Sequence, residues 1–130
     1  NILILTNTPE FPTELKNKKL FTIIDNFVFK NKRIPNKIEN LNLQKEYYNE
    51  RNKIKDRNVD KKNKILKRIT KENNISLIDL NNYLCNEEEK KCNFFTDKKK
   101  KIIFDYGHYS LEGAVYMGNK MSNEILRKIR

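Results

Sequence analysis

The chain has one histidine and three glycines, and all four fall within FDYGHYSLEGAVYMG, residues 104–118. Inside that stretch Asp105 precedes His108 by three residues, across Tyr106 and Gly107. A carboxylate at that spacing on a turn can reach the imidazole Nδ1–H. It then fixes the tautomer, stabilises the imidazolium and leaves Nε2 free as a general base. Gly107 is expected to permit the tight backbone, and Ser110 to cap the helix that follows. The competing reading of the same residues is structural: Asp105 caps a turn, His108 is a half-buried loop residue, and the glycines serve packing.

A base needs a scaffold. NILILT, residues 1–6, is a short apolar run ended by NTPEFPT, where Pro9 and Pro12 forbid a continued ladder, so a buried strand over 2–6 is predicted. Residues 13–40 carry weak signals, and LFTIIDNFVF (20–29) is apolar without a clean period. From Leu43 to Asn73 the composition is helical, with a break near Asn58 and a narrow apolar face at Ile65, Leu66 and Ile69. ISLIDL (75–80) predicts a second strand, its run 75–78 beside and parallel to 2–6, followed by a short NNYLC turn. IIF (102–104) predicts a third extended piece. Leu111, Ala114, Val115, Gly118, Met121, Ile125 and Ile129 recur at helical spacing, so an amphipathic helix over 111–129 is expected to pack through Leu111, Val115, Gly118 and Ile125. The order strand, helix, strand, helix predicts an α/β layer fold with a parallel sheet.

The composition bounds the partners. At 130 residues, with 37% hydrophobic and 35% charged side chains, the chain fits one domain with a thin core. No apolar run approaches a membrane span, and the first residues do not read as a signal peptide. Asn1 in place of an initiator methionine points to a processed product or a piece of a longer chain. The formal charge of +11 invites a nucleic-acid reading, but the lysines are scattered from Lys16 to Lys128. Lys, Asn and Ile rise together in coding sequence rich in A and T. A nucleic-acid footprint would instead be a patch interleaved with stacking aromatics. The densest run, Lys98 to Lys101, reads as a solvated turn.

Cys85 and Cys92 flank NEEEKK. That gap can close a disulfide loop worth about 2–3 kcal/mol. Two buried thiols, or a zinc site with His108 and Asp105, are the alternatives, the latter without the short spacing that marks such sites.

DYGHYSLEGA resembles the last block of the SGNH (GDSL-like) hydrolases, in which Asp-x-x-His comes just before the C-terminal helix. It is closest to the SGNH domains attached to membrane acyltransferases of the acyltransferase-3 type, which read Asp-x-x-His-Leu-Ser-x-x-Gly-Ala. Asp105, His108, Ser110, Gly113 and Ala114 match, and Tyr109 replaces the Leu. ILILTNTPEFP resembles that family's strand with a Pro-Glu segment, and ISLIDLNNYLC with EEEKKC its strand, Asp-Leu turn and cysteine pair. The resemblance implies a partial three-layer, flavodoxin-like SGNH hydrolase fold, with 1–130 as the C-terminal part of a single domain. It also implies Asp105 rather than Asp79 as the triad acid, a Cys85–Cys92 disulfide in an oxidising, extracytoplasmic location, and no cofactor.

The family's Gly-Asp-Ser nucleophile segment has no counterpart, because no glycine precedes Gly107. Ser76 precedes a strand, Ser110 is a cap and Ser122 lies within the last helix, so none sits on an exposed nucleophile turn. The expectation is a serine esterase or acyltransferase domain, catalytically incomplete as given. His108 and Asp105 would serve a nucleophile and oxyanion donors supplied upstream. Its partners would be that upstream part, a membrane acyltransferase domain, and an acylated small molecule or carbohydrate. The alternative is a non-catalytic basic module for nucleic acid or an acidic surface.

Overall fold

The computed structural model describes residues 2–11, 13–16, 19–53 and 58–129. The apolar opening run forms β1 (Leu3–Leu5). The weakly patterned segment after it holds an antiparallel pair, β2 (Glu14–Lys16) and β3 (Lys19–Phe21), with Leu15 opposite Leu20. Helix α1 (Ile23–Asn31) starts at a reciprocal cap: Thr22 Oγ1 accepts from the Asp25 N–H, and Asp25 Oδ2 accepts from the Thr22 N–H. It stops at Lys32, which turns left-handed at φ 54°. Helix α2 (Lys37–Lys53) opens on the same device, with Asn36 and Glu39 exchanging side-chain and backbone hydrogen bonds of 3.0 and 2.8 Å.

Helix α3 (Asn58–Glu72) ends at a second left-handed residue, Asn74, where the Ile75 N–H returns to the Thr70 carbonyl at 2.8 Å. β4 (Ser76–Ile78) then pairs parallel with β1 in the register Leu3↔Ser76, Ile4↔Leu77 and Leu5↔Ile78. The expected neighbouring parallel strands are therefore present. A short helix, α4 (Asn81–Leu84), stands where a turn was expected. It leads into the hairpin β5 (Cys85–Asn86) and β6 (Lys91–Cys92). Residues 102–104 form no strand; Ile103 makes a single antiparallel bridge to Tyr109. Helix α5 (Leu111–Ile129) has the predicted extent and packs against both β1 and β4, while α3 packs against β4.

The core is aromatic at its centre. Tyr47 on α2 stacks on Phe11 at 4.2 Å between ring centroids and meets Phe94 at 4.3 Å. Ile78, Leu84, Ile102 and Met117 are fully buried around it, each worth about 1.5–3 kcal/mol. The disulfide Cys85–Cys92 lies in this core, with the two cysteines 4% and 0% exposed, rather than in a charged loop that the core cannot reach.

Three expectations need correction. Helix α5 packs through Gly113, Met117 and Met121, with Ile125 against the same cluster, whereas Leu111 (79% exposed), Val115 (57%) and Gly118 face outward. Gly113 sets that phase, because a Cβ there would sit 2.1 Å from the Ile102 carbonyl oxygen. On α3 the apolar face was partly misplaced: Leu66 is half-buried on the side of buried Val59 and Thr70, whereas Ile65 and Ile69 are exposed. Finally, Lys101 does not belong to the solvated turn. Its ammonium bonds both Asp25 carboxylate oxygens, at 2.8 and 2.6 Å, and the Phe104 carbonyl at 2.7 Å.

Candidate active site

The two parallel strands run their carboxyl ends toward the same side of the molecule, where α/β folds place their ligands. β1 exits into Thr6–Glu10 and β4 into the Asp79 turn. Thr6 Oγ1 donates to Asp79 Oδ1 at 3.1 Å and accepts the Leu80 N–H at 2.9 Å, and Lys67 pairs with the same carboxylate. Asp79 is thus spent on tying two strand ends and α3 together.

The turn bearing His108 is held from several sides. The Phe104 N–H donates to the His108 carbonyl at 2.7 Å, which closes the loop on itself. The Phe11 N–H donates to the Tyr106 carbonyl at 2.7 Å, which ties it to the segment after β1. Ser110 Oγ accepts the Gly113 N–H at 2.9 Å and donates to the Lys101 carbonyl, so it caps α5 as expected.

Asp105 organises the interior of the turn. Its Oδ1 accepts the Gly107 and His108 N–H groups at 3.1 and 3.0 Å, and its two oxygens lie 3.0 and 2.9 Å from His108 Nδ1. Burial pushes the Asp105 carboxyl up, but hydrogen bonds from the His108 ring and the two N–H groups outweigh it and hold the carboxyl below its ordinary value. With Nδ1 occupied by the carboxylate, Nε2 has no hydrogen-bond partner among the described residues. The His108 side chain is 67% exposed. The Tyr106 ring stands edge-on to the imidazole at 5.2 Å.

Nε2 therefore belongs to the ring that lines a shallow cleft of about 270 Å³, whose other walls include Asn7, Thr8, Glu10, Lys62 and Tyr106. The α3 wall is fixed by an amide clamp: the Asn7 N–H and Nδ2 donate to Asn63 Oδ1 at 2.8 and 3.2 Å, and Asn63 Nδ2 returns to the Asn7 carbonyl at 3.1 Å. A larger groove, about 690 Å³, runs along α2 past Asn42, Lys45 and Glu46, and the chain's histidine does not line it. Sequence reasoning missed Asn7, Asn63 and Lys62, because contacts between residues more than fifty positions apart leave no local pattern. Gly107 is not demanded by backbone conformation, since its φ is not positive and a Cβ would make only ordinary contacts at 3.8 and 3.9 Å. That corrects its expected role.

No serine of the chain is bonded to His108. Ser110 is consumed in the cap, Ser122 Oγ donates to the Asn119 carbonyl at 2.8 Å, and Ser76 sits at the amino end of β4, opposite the cleft. The two cysteines are bonded to each other, which leaves no thiolate for a metal. No cluster able to hold a metal ion occurs among the described residues.

No curated protein and no solved structure matches the chain. The family model described as "SGNH domain (fused to AT3 domains)" matches residues 2–123. With that match spanning nearly its whole length, the chain belongs to the SGNH domains fused to AT3 domains, a family of esterase- and acyltransferase-type hydrolase domains.

Proposed function

We propose that His108 and Asp105 are the general base and its orienting acid in a serine acyl-transfer reaction, and that the attacking serine and the oxyanion donors lie upstream in the same domain. The observation that carries this reading is the Asp105–His108 pair itself: Nδ1 sits against the carboxylate, while Nε2, on an exposed ring, has no partner among the described residues. In the first step Nε2 takes the serine hydroxyl proton as the oxygen attacks the acyl carbonyl. It returns that proton to the departing alkoxide, leaving an acyl-serine. In the second step Nε2 takes a proton from water or an acceptor hydroxyl, which attacks the acyl-serine, and gives it back to the serine oxygen. Asp105 stays ionised throughout and stabilises the imidazolium.

The cleft beside the base is polar and lined by amides, a glutamate and a lysine. Those groups suit a hydroxyl-rich acceptor, so a carbohydrate is the substrate class we assign. We place the domain on the extracytoplasmic side, where the buried disulfide is stable. Fusion of the family to AT3 domains gives it a membrane acyltransferase partner. The three-layer sheet of a complete SGNH domain would then extend beyond the β1–β4 pair, with the serine on a strand end facing His108.

The test uses a complete domain and the 130-residue chain together. In the complete domain, His108→Ala is expected to lower turnover of an aryl acetate by about 10⁴-fold, because base and nucleophile act as a unit. Asp105→Ala should cost less. The 130-residue chain should take no label from a fluorophosphonate probe. Equal activity of the complete domain and its His108→Ala variant sinks the catalytic assignment. Labelling of Ser76, Ser110 or Ser122 that disappears with His108→Ala places the nucleophile within this chain instead.

A further inference from the structure

The corner between α1 and α2 exposes four large hydrophobic side chains. Phe29 is 62% exposed, Ile34 46%, Ile38 73% and Leu41 41%. Ile38 and Leu41 lie three residues apart on α2, hence on one helix face. Residues 29–41 also carry Lys30, Lys32, Arg33 and Lys37 against a single carboxylate, Glu39. Arg33 binds Glu39 in a bidentate pair, with both N···O distances 2.7 Å. Lys30, Lys32 and Lys37 are left without an ion pair among the described residues.

This corner is built on local contacts. Left-handed Lys32 makes the bend, with its ammonium 4.2 Å over the Phe29 ring. Arg33 Nη1 donates to the Ile34 carbonyl at 3.2 Å, and the Asn36–Glu39 box fixes the start of α2. The hydrophobic side chains are therefore presented on a short stretch of chain that also carries Lys30, Lys32 and Lys37.

We propose that this corner docks onto the surface of an anionic phospholipid bilayer. Exposed aromatic and aliphatic side chains interspersed with lysines fit the boundary between headgroups and acyl chains, where the apolar groups enter and the ammoniums meet lipid phosphates. The family's fusion to AT3 domains points to membrane tethering, which supplies the proximity. The other occupants fit worse. A second copy of the chain would set lysines against lysines, and a nucleic acid would leave Phe29, Ile34, Ile38 and Leu41 against nothing apolar. The inference does not depend on the acyl-transfer reading, because it uses none of the residues around His108.

The 130-residue chain is mixed with vesicles of phosphatidylcholine alone, or containing about one third phosphatidylglycerol, and the bound fraction is measured by sedimentation. Binding is expected only with phosphatidylglycerol and should fall steeply with salt. The double variant Phe29→Ser with Ile38→Ser changes only exposed positions and should lower the partition coefficient at least about tenfold. Lys98→Gln, Lys99→Gln and Lys100→Gln together, in an exposed turn, should lower it much less. The chain has no tryptophan, so Phe29→Trp supplies a single tryptophan, excited selectively over the tyrosines, whose emission should shift to the blue on anionic vesicles. Unchanged binding by the double variant, a larger loss in the triple variant, or no spectral shift overturns the proposal. So does self-association that the double variant abolishes, which would give the corner to a second copy.

Discussion

Asp105 shapes the turn and holds the His108 ring with the same carboxylate, and its ionisation ties stability to pH. Its carboxyl is held below the ordinary range, near 3.9 for a free aspartate, so its charge favours the folded state above about pH 4. That contribution is lost as pH falls through the depressed folded value. Asp105→Asn keeps an oxygen for the two N–H groups but removes the charge. The stability gap between wild type and variant, followed by urea unfolding, should be fully open above about pH 4 and close at lower pH. A gap that does not change between about pH 6 and pH 2 would show that the charge does nothing in the fold. The pairing of Asp105 with His108 was legible from their spacing and from Ser110 at a cap position. Gly107, expected to permit a tight backbone, sits in a conformation that needs no glycine. Its Cβ position is open, so Gly107→Ala should alter stability by no more than about 0.5 kcal/mol.

Helix α5 shows how an element can be read correctly in extent and wrongly in phase. Leu111 and Val115 outweigh Gly113 and Met117 on any hydropathy scale, yet the helix turns Gly113, Met117 and Met121 inward, with Ile125 on the same side as expected. Backbone contact decided it: only a residue without a Cβ lets α5 approach Ile102. Four substitutions on the one helix separate the two phases. Gly113→Ala should cost about 3 kcal/mol or more, because the obstacle is backbone. Met117→Ala should cost about 2–5 kcal/mol, and Leu111→Ala at most about 0.5 kcal/mol. Gly118→Ala meets nothing within 4 Å and should stabilise by about 0.5–1 kcal/mol, from helix propensity alone. Chemical unfolding of the four variants is the check, and a larger loss for Leu111→Ala than for Met117→Ala would restore the original phase. Helix α3 was misread for a related reason: among so many lysines Ile65 and Ile69 looked like a face, while the buried line includes Thr70, a residue no apolar pattern selects. The parallel pairing of β1 with β4 was legible because each is a short apolar run bounded by turn residues. The β2–β3 pair and α1 were not, although Thr22 and Asp25 stand at capping-box spacing.

At the scale of the whole molecule, a thin core is reinforced by one covalent link. Cys85 and Cys92 face each other across the β5–β6 hairpin, seven residues apart in sequence. Closing so short a loop should stabilise the fold by about 2–3 kcal/mol, so replacing both cysteines with serine should lower the unfolding free energy by that amount. Non-reducing peptide mapping of secreted protein should show the 85–92 crosslink. Two alkylatable thiols there would remove the case for an oxidising compartment. The same burial has a consequence in time. With Cys92 wholly covered and Cys85 nearly so, a dissolved reductant meets neither sulfur until the hairpin parts from α2. Where closing is faster than the thiol reaction, the rate of reduction reads the population of opened molecules. The bridge is then an internal clock for the fold, and a substitution such as Met117→Ala, far from either sulfur in sequence, should make it run faster.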